Sequence, residues 1–209
     1  LVAYRSAAGL AEGLRARFRS EEFRTGLFGD VQAVFDTALR LSLDAKDFET
    51  AWSLSEASRA RQLLDTLRDR TQDTFTQQRV SLPELRARLA PDDAVLQFHA
   101  LDQQLAVWII RREGLQGLTV PVADTALAAE VEAFRQSVIS RARDTQPRAQ
   151  ALYQRLGMPA DWAGAKRVFV VPHGPLHYLP FQALHDGQQY LVAKVALGVW
   201  PSSGVGTQL

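Results

Sequence analysis

No cysteine occurs among the 209 residues. That excludes disulfides, thiolate zinc sites and a cysteine nucleophile within this stretch. Proline is missing from Leu1 to Arg79, which removes the strongest helix breaker from the first part of the chain. Neither sign of charge dominates: the net charge is +1, so no global field draws the molecule to nucleic acid or acidic lipid. No apolar run approaches the roughly 20 residues of a membrane span, and nothing resembles a signal peptide. A cytoplasmic protein that binds neither membrane nor nucleic acid is expected. Leu1 stands where an initiator methionine would, so a piece of a longer polypeptide is expected too.

What remains is ordinary globular composition, 46% hydrophobic and 22% charged. Up to Arg79 the apolar spacing is helical. Asp30 is positioned to cap a helix carrying Val31, Val34, Phe35, Ala38 and Leu39 on one stripe. Asp47 offers a second cap, for a helix with Phe48, Ala51, Trp52, Ala60, Leu63, Leu64 and Leu67. Ser55, Ala57 and Ser58 are small enough for a neighbouring helix to come close. The Ala45–Asp47 link makes the pair a hairpin of tetratricopeptide kind, on which a helix around Tyr4–Phe18 would stack. Arg15, Arg17 and Arg19 form a basic run, but Glu12, Glu21 and Glu22 flank it, as on a solvated face.

Beyond Arg79 the pattern changes. Ser81-Leu82-Pro83-Glu84 fits a capping box. Ala94–Leu101 and Leu105–Ile110 read as a β-hairpin with a buried second strand, and Leu118–Val122 as a third strand. Asp124 is expected to cap a helix with Leu127, Val131, Phe134 and Val138 on one stripe, and Pro147 to start another. The apolar run Val168–Val171 predicts an inner parallel strand ending in the turn Pro172-His173-Gly174-Pro175. His185-Asp186-Gly187 breaks the chain again before a strand expected over Tyr190–Trp200. Strands alternating with helices indicate an α/β arrangement.

Chemistry is sparse. His173 and His177 have the i, i+4 spacing that suits zinc on a helix, but Gly174 and Pro175 between them oppose a helix. With His185 they leave three readings open: a metal site, a general base, or turn histidines, the last preferred. His99 falls mid-strand and reads as structural, as do Trp52, Trp108 and Phe134. There is no phosphate-cradling loop, nucleophile elbow or dinucleotide fingerprint, and no cofactor or metal is expected.

The segment VFVVPHGPLHYLPFQAL, Val168–Leu184, resembles the opening strand and turn of CHAT domains, caspase-like peptidase domains associated with tetratricopeptide repeats. Pro172, Gly174, Leu176, Leu179, Pro180, Phe181 and Leu184 carry the likeness, continued by Gly187, Tyr190, Leu191 and Pro201-Ser202. Glu56–Arg61 resembles the repeat helix that precedes the domain, and the hairpin near Phe98 and Trp108 has its usual place. The resemblance implies a caspase-like α/β sandwich in which a histidine activates a cysteine thiolate. In that family the histidine follows a later strand in a His-Gly context and the cysteine lies in a Ser-Ala-Cys context. Neither occurs before Leu209, and His173-Gly174 ends the first strand, so no residue here is assigned a catalytic role.

The expected organisation is a helical, tetratricopeptide-like region over 1–79 and the N-terminal part of a CHAT domain over 82–209. The expected function is the front portion of a CHAT-type cysteine peptidase. Its helices would receive a protein partner or regulator, and a protein substrate would be cut once the dyad outside this chain is supplied. The alternatives are a non-catalytic interaction scaffold and, third, a metal hydrolase built on His173, His177 and His185.

Overall fold

The computed structural model describes residues 21–68, 80–160, 162 and 164–206, and two compact units divide between Arg79 and Val80. In the first unit, helix α1 (Glu21–Asp44) packs against helix α2 (Phe48–Arg68). Asp47 caps α2 as the sequence implies: the Thr50 N–H donates to its Oδ1 at 3.1 Å. Lys46 takes the left-handed conformation, φ 56, which lets Asp47 N–H bond back to the Ser42 carbonyl at 2.9 Å. Phe35, Ala38, Leu39, Ala51 and Trp52 are buried, with the small residues Ser42, Ser55 and Ser58 among them. Ser58 Oγ donates across the hairpin to Gln32 Oε1 at 3.2 Å.

Asp30 does not cap a helix. It lies inside α1, which starts at least as early as Glu21. A capping side chain marks a start only where the preceding residues cannot continue the helix; no proline precedes it, and Gly26 and Gly29 are tolerated. The helix expected around Tyr4–Phe18 falls outside the described residues.

The second unit opens with helix α3 (Leu82–Arg88), where Ser81 and Glu84 make both bonds of a capping box. Strands β1 (Asp93–Leu101), β2 (Gln104–Ile110), β3 (Leu115–Pro121), β4 (Arg167–Val171) and β5 (Ala196–Val199) form one mixed sheet in the order β3-β2-β1-β4-β5. β1, β2 and β3 pair antiparallel, while β4 runs parallel to β1 on one side and β5 on the other. Val168–Val171 is thus an inner strand bonded along both edges, as its unbroken apolar run implies.

Between β3 and β4 run helices α4 (Asp124–Ser140) and α5 (Thr145–Arg155). One core joins Ala94, Leu96 and Phe98 of β1 and Leu105 and Val107 of β2 to Leu127, Val131 and Phe134 of α4 and Ala149 and Leu152 of α5. Val95, Gln97, His99, Ala106, Trp108 and Ile110, on the opposite face, are buried as well. Burial of both faces explains why β1 and β2 are apolar almost without alternation.

Three expected boundaries move. β3 begins at Leu115, because a tight turn from Ile110, closed by Arg111 N–H to the Gly114 carbonyl at 2.9 Å, pairs Ile110 with Leu115. Ala123, not Asp124, occupies the cap of α4, and its methyl makes no capping bond; Asp124 N–H instead donates to the Asp102 carbonyl at 3.1 Å. The expected strand Tyr190–Trp200 is mostly something else. Leu191–Ala193 is a short 3-10 turn, and only Ala196–Val199 pairs with β4. Leu191 is drawn into the core under the sheet, and β4 itself is only five residues long, so a longer partner strand would have nothing to pair with.

Candidate functional site

The carboxyl end of β4 runs into the turn that carries the sequence motif. Pro172 is buried, and His173 sits at the head of a 3-10 helix over Gly174–Tyr178. Gly174 has φ +54, and a Cβ there would lie 3.5 Å from both Ala100 Cβ and Asp124 Oδ1. That carboxylate oxygen is buried and has no hydrogen-bond partner among the described residues. Leu176, Leu179, Phe181 and Leu184 all enter the core beneath the sheet, and Phe181 stacks on Phe98 with centroids 5.7 Å apart. Pro180 is half-buried between two 3-10 turns. The motif therefore acts as an apolar plug that fixes the turn to β1 and α4.

The histidines are sorted by the same geometry. His99 and His173 stack at 4.1 Å, where the parallel strands β1 and β4 finish. Ala100 N–H donates to His173 Nδ1 at 3.1 Å, which leaves the neutral ring its proton on Nε2. His177 is exposed on the 3-10 turn. His185 is buried elsewhere, against Gln146, Gly187 and Tyr190. Among the described residues no three His, Asp or Glu side chains gather as a metal-binding group. The metal-hydrolase reading of His173, His177 and His185 is overturned, because Gly174 turns the chain between His173 and His177, and the 3-10 turn Phe181–Ala183 lies between His177 and His185.

Two ion pairs brace the unit near the start of β4, and neither was expected from sequence. Asp93 and Arg167, cross-strand partners at the start of β1 and β4, form a forked pair with bonds of 2.6 and 3.0 Å. Asp93 Oδ2 also accepts the Ala90 N–H at 3.0 Å. Asp186 accepts the Gln188 and Gln189 N–H groups, each at 2.8 Å, and Lys194 Nζ at 2.8 Å. The Lys194 bond, then the two backbone bonds, hold the Asp186 carboxyl well below the usual carboxylate range. Lys194 also reaches the Ala160 carbonyl at 3.2 Å. Asp-Gly is a turn signal in any sequence, but nothing in a linear reading singles out a lysine eight positions on.

A buried polar bond ties the last helix to the sheet. In α6 (Ser203–Gly206), Ser203 Oγ donates to Gln97 Oε1 on β1 at 2.8 Å, and Trp200 stacks on Phe169 at 4.1 Å. In the first unit, burial pushes the Arg59 guanidinium down to about 10, against the opposing pull of Glu56 one turn earlier. Both lie in the Glu56–Arg61 stretch that the sequence singles out.

No curated protein matches the chain. The stretch from Gln146 on α5, through β4 and its turn, past α6 to Gln208 matches the family model of the CHAT domain, residues 146–208. The β4 turn with its apolar plug thus lies within the stretch of this chain that is similar to the CHAT domain family.

Proposed function

We propose that the chain is the front portion of a CHAT-type, caspase-like cysteine peptidase. Its helical unit receives a protein partner or regulator, and its sheet is the first part of the peptidase domain. The observation that carries this reading is β4, an inner strand with parallel neighbours on both sides, followed by the motif turn within the matched residues. The organisation that goes with it is a tetratricopeptide-like region over 1–79 and CHAT sequence over 82–209.

The nucleophile belongs outside this chain, because a cysteine peptidase needs a thiolate and these residues hold none. His173 does not take the place of a general base: its Nδ1 is engaged by the backbone of β1 and its ring is stacked on His99. The residues of this chain supply the frame that holds a substrate-bearing edge in place.

The test is to express the chain together with the coding sequence around it and to treat the product with an electrophilic peptide probe for active thiols. Labelling of a cysteine in a Ser-Ala-Cys context, lost when a His-Gly histidine is replaced, supports the peptidase. A longer product that lacks both motifs and takes no label supports the non-catalytic interaction scaffold instead.

A further inference from the structure

We propose that His185 is an acid-sensitive latch on the turn that leads from the β4 motif to β5, closed near neutral pH and opened by protonation of its ring. The inference rests on the hydrogen bonds of the turn and does not depend on the peptidase reading.

His185 is 5% exposed. Its Nδ1 accepts the Gly187 N–H at 3.0 Å, the i to i+2 contact that an Asn or Asp side chain makes in an Asx turn. Its Nε2 lies 3.3 Å from the side-chain amide of Gln146 on α5. Because Nδ1 accepts, the neutral ring carries its proton on Nε2, and Gln146 presents its carbonyl oxygen to it, an orientation assigned from the hydrogen-bond pattern. Tyr190 packs edge-on against the ring at 4.9 Å. A backbone bridge between His185 and Tyr190 closes the turn, and Leu191 N–H bonds to the Leu184 carbonyl at 2.8 Å behind it.

The turn itself contributes Asp186, Lys194 and the Tyr190 phenol. α5 brings the uncharged Gln146 and Gln150, while its Arg148 is exposed and paired with Asp144 at 2.7 Å. Asp186 is the carboxylate next in sequence; one of its oxygens accepts two backbone N–H groups and the other accepts Lys194. A second proton on His185 would turn Nδ1 from acceptor to donor, facing the Gly187 N–H donor to donor. It would also bury a cation in a turn whose one carboxylate, Asp186, is already paired with Lys194. The relief is for the ring to swing out and the turn to open at Gly187, whose φ of +105 is open to glycine.

The experiment is amide hydrogen exchange by NMR on the 209-residue chain near neutral pH and near pH 5, corrected for the intrinsic pH dependence of exchange. Protection of the Gly187 amide is expected to fall about tenfold on acidification relative to the Val170 amide in β4. In His185→Asn, whose carboxamide oxygen keeps the i+2 bond without titrating, that differential loss should vanish. Equal behaviour of Gly187 and Val170 at both pH values would overturn the latch, as would an acid response that survives in His185→Asn. If that variant does not fold, the wild-type titration decides: a His185 ring that takes up its proton while the Gly187 amide stays put overturns the proposal. Movement of both with one midpoint supports it.

Discussion

Gly174 sits at φ +54 with its neighbours just at van der Waals distance. Strain, not space, is therefore the cost of a side chain there, and Gly174→Ala should destabilise the second unit by about 1–2 kcal/mol, read as a shift in urea midpoint. Gly174→Asn should cost less, since asparagine visits the left-handed region more readily. Asp186 carries a pH signature of its own. Its carboxyl is held below the ordinary range by Lys194 and two backbone N–H groups. Such a group contributes stability that is present above the unfolded-state pKa and lost as pH falls through the lower folded value. Asp186→Asn should therefore unfold more easily than the parent near pH 7, and the gap between the two urea midpoints should narrow as the solution is acidified below about pH 4.

At the scale of elements, the motif is an inner strand plus a plug, so its side chains are expected to act on stability. Phe181, 3% exposed and stacked on Phe98, should cost about 3–5 kcal/mol as Phe181→Ala. Ser81→Ala removes one half of a capping box at the surface and should cost about 1 kcal/mol. The inner position of β4, the capping box and the Asp47 link were all legible in the linear chain, because each depends on neighbours within a few residues. What was not legible depends on distance along the chain. The forked Asp93–Arg167 pair exists only because β1 and β4 lie in parallel register, and Gln97–Ser203 only because α6 folds back over β1. Asp30 misled for a related reason: a capping residue inside a continuous helix looks the same in sequence as one that starts it. The strand expected over Tyr190–Trp200 was shortened by packing, since Leu191 serves the core better than the sheet edge.

At the scale of the whole molecule, the histidines show what a linear reading can and cannot settle. Their spacing admitted a metal site, and the turns at Gly174 and Phe181–Ala183 lie between the rings. The candidate site was thus legible as a motif and illegible as chemistry, because the motif residues pack and these residues hold no thiol. The most direct measurement is peptide-library cleavage by the 209-residue chain beside a polypeptide extended by its surrounding coding sequence, each with and without a thiol-alkylating reagent. The chain alone should be silent, and the extended polypeptide should cut and be stopped by alkylation. Cleavage by the chain alone, abolished by His173→Ala or His177→Ala, would contradict the assignment.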